Sequence, residues 1–207
     1  MNSSVPYLET YLAELQQTVT QLPVEQVNQV VEILLKNVKA GSKVFMCGNG
    51  GSASTASHFA CDLAKNTVVS GAPHFKVIAL TDNMALVTAW ANDTAYDHVF
   101  SAQLDPLVQA GDVVIGISCS GNSQNVINAM EIARQHGATT IAFTGDTGGR
   151  LKDVVDLCIQ VPSPRIEQQE DVHLILEHSI CAAVRDRLRQ EPQSVSFISS
   201  LQRPVAA

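Results

Sequence analysis

The stretch "FMCGNGGSASTASHFACDLA", residues 45–64, decides the reading of this chain. An apolar run ends at Gly48, and Gly50, Gly51 and Ser52 follow before a helical pattern begins. Bare backbone N–H groups at a strand-to-helix turn, with the positive end of the helix dipole behind them, make an anion site that needs no lysine. The loop departs from the dinucleotide pattern G-x-G-x-x-G, because Ala53 stands where the third glycine belongs. It also lacks the lysine of a nucleotide P-loop. A tight turn without a ligand is the plain alternative for so short a pattern. Behind the turn, His58 and Asp62 stand four residues apart, about 40° from each other on one helical face.

Working outward, strand and helix signals alternate. "SKVFMCG" (42–48), "FKVIAL" (75–80), "DVVIGIS" (112–118), "TTIAFTG" (139–145) and "LCIQVP" (157–162) are short apolar runs rich in Val and Ile. Such runs suit strands buried on both faces of a parallel sheet. Helical patterns fall between them at 52–65, 83–91, 97–109 and 123–136, and a last long helix spans 167–189. Two amphipathic helices come first, the second opening on Pro23 and closing on Gly41. The expected fold is therefore α/β: a doubly wound, mainly parallel five-stranded sheet flanked by helices, with ligands at the carboxyl ends of the strands. One domain is expected over 1–190, with a helical hairpin at 1–41, the sheet core at 42–190 and an aperiodic tail at 191–207.

Composition excludes several partners. The 207 residues carry a net charge of −7, and 45% are hydrophobic. An acidic chain is poorly suited to a phosphate backbone or an anionic membrane, which are held chiefly by Lys and Arg. No apolar run reaches the length of a membrane span. The five cysteines show no paired spacing; Cys47, Cys158 and Cys181 sit in apolar runs as reduced thiols, and a cytoplasmic location is expected.

A second turn repeats the device of the first. "GISCSGNSQNVINAMEIA" (116–133) runs from a strand through Ser118, Ser120, Gly121 and Ser123 into a helix. Hydroxyls and N–H groups around a helix N-terminus can bind a phosphate that brings its own charge. One of the three serines is expected to serve as an N-cap. Three hydroxyls in six residues exceed what capping requires.

Together with "CGNGGSA" (47–53), "HFACDLA" (58–64), "LVTAWAND" (86–93), "AGDVVIGISCSGNS" (110–123), "FTGDTGG" (143–149) and "VHLILEH" (172–178), these turns resemble the sugar isomerase (SIS) family of phosphosugar-binding domains, and the phosphoheptose isomerases within it. The resemblance covers residues 5–190. It implies interconversion of sedoheptulose 7-phosphate and a heptose 7-phosphate through an enediol, and a homotetramer. It assigns Asn49, Gly50, Gly51 and Ser52 to a sugar-binding loop, and Asn92 and Asp93 to a second polar turn. Ser118, Cys119, Ser120 and Ser123 become the phosphate cradle, with Cys119 replacing the usual threonine.

The same resemblance implies a cluster for metal binding and acid–base chemistry, made by a histidine and a glutamate four residues on, with a glutamine and a histidine from the last long helix. His58 and Asp62 match the first pair and His178 the final histidine. Counting eight back from His178 reaches Glu170, not glutamine; Asp171, seven back, lies nearer the face of His178, so the choice between them stays open. The expected metal set is His58, Asp62, Glu170 and His178, holding a divalent ion, zinc first. Asp62 or Glu170 is the expected base and His178 the proton donor. Aspartate for glutamate withdraws the carboxylate by about 1.5 Å, and glutamate for glutamine adds a charge that favours a cation. The competing classes are a SIS protein that binds a replication initiator without catalysis, and a phosphosugar sensor. The carboxylate at 62 and both histidines weigh against the first, and the lack of a second domain weighs against the other.

Overall fold

The computed structural model describes residues 4–190, so the expectation for 191–207 lies outside the described residues. Five strands form one sheet: β1 (Lys43–Gly48), β2 (Lys76–Ala79), β3 (Val113–Ser118), β4 (Thr139–Thr144) and β5 (Leu157–Gln160). Their order is β2-β1-β3-β4-β5, and every pairing is parallel. Each strand falls inside one of the apolar runs.

Alternation along the strands divides the core in two. Val44, Met46, Val113, Ile115, Ile117, Ile141 and Phe143 face a layer built from α2 (Val24–Ala40), α3 (Gly51–Lys65) and α8 (Ile166–Gln190). Phe45, Cys47, Val114 and Ala142 face the other layer, which holds α5 (Ser101–Leu104) and α6 (Gln124–Gln135). Gly116 lets α6 approach closely, since a Cβ there would lie 2.7 Å from Met130 Cε and Val126 Cγ1. Cover on both faces accounts for the near-continuous apolar runs of β1, β3 and β4, whereas β2, expected to be buried on both faces, is an edge strand that leaves Lys76 and Ile78 exposed.

The amino ends of the strands are pinned by carboxylates. Buried Asp112 accepts from the Lys43 N–H at Oδ1 (2.7 Å) and from the Gln109 N–H at Oδ2 (2.9 Å), and Oδ2 also lies 3.1 Å from Lys43 Nζ. Asp156 accepts from the Thr140 N–H and hydroxyl, both at 2.8 Å. The carboxyl ends carry the long loops instead. There the chain runs from β1 out to β2 and then crosses back to β3, so strand order reverses between Gly48 and Ser118 and opens a crevice.

Two differences from the sequence reading have local causes. The helix expected over 97–109 is broken into a 3-10 turn at Tyr96–His98 and the short α5. Pro106 closes α5, because it has no N–H to continue the hydrogen-bond ladder, although Asp105 before it still has helical backbone angles. A short α7 (Leu151–Val154) follows the "GDTGG" loop, too brief to show a period. α1 (Val5–Thr20) and α4 (Met84–Asp93) complete the elements. Among the described residues, no helix is long and apolar enough to cross a membrane, and all five cysteines are free thiols.

Candidate active site

Two polar centres stand out, one in the loops after β1 and β3 at the carboxyl end of the sheet, the other farther along α3 and α8, on their facing sides. At the first, Gly50 takes the N-cap position of α3 with φ 54°, a conformation that favours glycine. Gly51 lies against the Glu170 carboxylate: a Cβ there would lie 2.5 Å from Glu170 Oε1 and would displace that side chain. The two loops are tied together by a reciprocal amide pair, Asn49 with Asn125, at 2.9 Å in each direction. Tyr96 OH donates to Asn49 Oδ1 at 2.8 Å. Asn49 therefore acts first as a bolt between the loops.

The serines after β3 gather around one point. Ser118 Oγ lies 3.1 Å from Ser123 Oγ and 3.4 Å from Ser120 Oγ. Ser123 stands at the N-cap position of α6, yet its side chain makes no cap hydrogen bond. The expectation that one of the three serines serves as a cap is thus corrected. Asn125 Oδ1 takes the Val126 N–H at 3.0 Å, and the Ser123 hydroxyl turns to Ser118 instead. With Asn49, Ser52, Cys119 and Glu170, the three serines line a pocket of about 170 Å³.

The floor of this cradle contains a histidine that the sequence reading did not single out. His173 is 1% exposed; its Nε2 lies 3.2 Å from the Thr144 carbonyl and its Nδ1 3.9 Å from Cys119 Sγ. Burial, opposed by that carbonyl contact, lowers its pKa to about 4, so the ring is neutral. Burial and then the nearby Glu170 charge push the Cys119 thiol up to about 11. It is therefore an uncharged thiol. The "GDTGG" loop closes the cradle from the side. A Cβ on Gly121 would lie 2.1 Å from the Gly148 carbonyl oxygen, and the Gly145 N–H donates to the Cys119 carbonyl at 2.9 Å.

The second centre is a cluster of two imidazoles and two carboxylates. One ligand atom each from His58, Asp62, Glu177 and His178 lies within 4.8 Å of all the others. His58 Nε2 is 3.8 Å from Asp62 Oδ1, and His178 Nε2 is 3.9 Å from Asp62 Oδ2. Asn66 Nδ2 steadies Asp62, donating to Oδ1 at 2.6 Å. Glu177 is fully buried, and neither of its oxygens has a hydrogen-bond partner among the described residues. His178 Nε2 and His58 Nδ1 approach Glu177 Oε1 to 3.2 and 3.6 Å without hydrogen-bond geometry. Burial, and then the Asp62 charge, push the Glu177 carboxyl up to about 7. Orphaned buried oxygens beside two imidazoles and a second carboxylate are a donor set that fits a divalent cation.

Three of the four expected metal-binding residues thus meet, and the fourth does not. Glu170 lies with the cradle, against Gly51, and is absent from the cluster; Glu177 stands there instead. Asp171, the alternative at that position, points away and accepts a hydrogen bond from Tyr11 OH of α1. Eight-residue spacing turns a helix by about 80°, so Glu170 and His178 serve different places along α8. Asn92 and Asp93 lie exposed at the end of α4, bonded to each other at 2.8 Å, and neither lines the cradle pocket.

Strand order, two loops at the switch point, and a hydroxyl cradle define the class. Residues 7–145 match the family model described as SIS domain. Relatives then narrow it. The chain is 42% identical to a phosphoheptose isomerase of Aliarcobacter butzleri over 81% of this chain and 87% of that one. It is 40% identical to a probable phosphoheptose isomerase of Thermoplasma acidophilum over 86% and 97%. The solved structure of the phosphoheptose isomerase GmhA from Neisseria gonorrhoeae superposes with a TM-score of 0.82 at 34% identity, covering 89% of this chain and 100% of that one. The chain belongs to the phosphoheptose isomerase family of SIS-domain proteins.

Proposed function

We propose that the protein isomerises sedoheptulose 7-phosphate to a heptose 7-phosphate. The observation that carries this reading is the placement of cradle and cluster along one helix. Glu170 lines the cradle pocket, while Glu177 and His178 stand about 10 Å farther along α8. A ligand that binds both centres carries its phosphate at one end and its carbonyl at the other, as an extended ketose phosphate does. No Lys or Arg occurs between residues 77 and 133, so the cradle recognises phosphate by hydroxyls, N–H groups and the α6 dipole.

In the reaction, Asp62 takes a proton from C1 of the ketose as His178 donates one to the C2 oxygen, giving the enediol. The O1 proton is then released and C2 is protonated from the same cluster, which yields the aldose. Each step takes one proton from the sugar and returns one, so no atom is gained or lost. A divalent ion held by His58, Asp62 and His178, for which we take zinc, would act as a Lewis acid toward the C2 oxygen in place of the His178 proton, since one ring nitrogen cannot both bind a cation and donate a proton. The resemblance assigns Asn92 and Asp93 to a second polar turn of the substrate site, and Glu170 lines the cradle pocket. The site of action is taken as the cytoplasm.

A homotetramer built through the N-terminal helices accompanies this reading. Tyr7, Leu8 and Leu12 of α1 are exposed, Leu12 by 62%. Nearby, Val19, Leu22, Val27, Ile175 and Ala183 line an apolar groove of about 390 Å³. Light scattering of the purified chain at micromolar concentration should give four times the chain mass; a monomer would refute the assembly.

The functional test is a panel of sedoheptulose 7-phosphate, fructose 6-phosphate and ribulose 5-phosphate, each followed by NMR. The heptulose phosphate should be turned over with kcat/KM at least about 10-fold above either shorter sugar. No turnover of it, or a preference for a shorter ketose, would reject the assignment.

A further inference from the structure

We propose that Asn66 is a positioning residue for the reaction: its side-chain amide holds the Asp62 carboxylate in the orientation from which it takes the substrate proton. This rests on the reading above that Asp62 is the base. The resemblance gives this place a glutamate, and the shorter aspartate has less chain with which to correct a misdirected carboxylate. Helix α3 restricts the first side-chain torsion, so one broad torsion is left to aim the two oxygens.

Asn66 closes that torsion. Its Nδ2 donates to Asp62 Oδ1 at 2.6 Å, the one hydrogen bond this carboxylate accepts among the described residues. The imidazoles lie farther off, His58 Nε2 at 3.8 Å from Oδ1 and His178 Nε2 at 3.9 Å from Oδ2. Committing Oδ1 to the amide therefore leaves Oδ2 on the side of His178, the proposed proton donor. Asn66 is itself held. It is the C-cap of α3, at φ −81° and ψ −13°, and its N–H donates to the Asp62 carbonyl at 2.7 Å. Arg185 of α8 donates through Nη1 to the Asn66 carbonyl at 3.2 Å, and the next residue, Thr67, anchors its hydroxyl on the Leu63 carbonyl at 2.6 Å. Ending the helix needs only the backbone contacts; the amide goes to the carboxylate. All of these contacts lie within one chain, so each protomer of the proposed tetramer carries its own.

The test compares full-length wild type, Asn66→Ala, Asp62→Asn and the double variant, each assayed with sedoheptulose 7-phosphate at saturating zinc. Asn66→Ala should lower kcat by about 30-fold while KM stays within about 3-fold. Zinc affinity, read without turnover by competition with a chromophoric chelator, should fall about 10-fold in the same variant, because Asp62 also belongs to the cation cluster. Without metal, this variant should melt within about 2 °C of metal-free wild type. Added to Asp62→Asn, Asn66→Ala should lower kcat by less than about 2-fold further, since its effect passes through that carboxylate. Wild-type kcat and zinc affinity in Asn66→Ala, or losses that multiply in the double variant, would overturn the proposal while leaving Asp62 as the base. A wild type that converts no sedoheptulose 7-phosphate would overturn the reading beneath it as well.

Discussion

The cradle and the cluster draw on the same two helices, α3 and α8, yet they treat their polar groups in opposite ways. In the cradle the chain satisfies itself: serine hydroxyls meet serine hydroxyls, Asn49 pairs with Asn125, and His173 rests neutral on the Thr144 carbonyl. In the cluster, four ionisable groups converge and the most buried of them, Glu177, has no hydrogen bond. The first is a preformed mould for a ligand that brings its own charge. The second holds charge that only a cation or a moving proton resolves. A sugar phosphate fits this pairing, since its phosphate needs a rigid receptor and its carbonyl end needs groups able to change protonation.

The comparison can be broken most severely at the cluster. Asp62→Asn removes the proposed base while preserving volume, and should lower kcat by about 10³-fold. Calorimetry should then find phosphosugar affinity within a few-fold of wild type. Equal loss of turnover and binding would mean that the two centres are not separate.

Beneath the cradle, His173 gives a pH test. Its folded pKa is about 4 against an ordinary 6.5, so the unfolded chain binds a proton first as pH falls. Stability is therefore lost between pH 6.5 and 4, by about 3 kcal/mol from this group. His173→Gln should flatten that part of the stability–pH curve in denaturant titrations. An unchanged slope would show that the ring is not held neutral.

Smaller effects probe the serines. Ser120→Ala with Ser123→Ala should weaken phosphosugar binding by roughly 2–3 kcal/mol, two hydrogen bonds to a charged group. Unchanged affinity would place the phosphate elsewhere. Ser123→Ala alone should shift folding stability by less than about 0.5 kcal/mol, whereas loss of a working N-cap costs about 1 kcal/mol. A thermal melt that reveals the full cap penalty would restore the capping role.

The sheet was legible because its signal is local. Runs such as "DVVIGIS" report burial on both faces without knowledge of their neighbours, and all five became strands. The two turns were legible for the same reason, each being a strand end and a helix start within a few residues. Whatever depended on partners distant in sequence was harder. The pattern implied by the resemblance placed Glu170 with His178, with Asp171 left open beside it, but neither it nor spacing says which side of α8 meets α3, and that contact brings Glu177 to His58 and Asp62. Its signal was present, a glutamate inside the apolar run "VHLILEH", where an unpaired charge is costly. His173 was hidden in the same run, because a buried histidine and a ligand histidine look alike until the Thr144 carbonyl is seen beneath it.

The central claim is that the cluster moves protons on a sugar phosphate held by the cradle. Its most direct measurement is proton NMR of sedoheptulose 7-phosphate incubated with the zinc-loaded wild-type protein in deuterated water. Removal of the C1 proton by an exchangeable base predicts deuterium at C2 of the heptose product and at C1 of the recovered ketose, with neither label appearing for Asp62→Asn. Conversion without solvent deuterium, or labelling undiminished in Asp62→Asn, would contradict it.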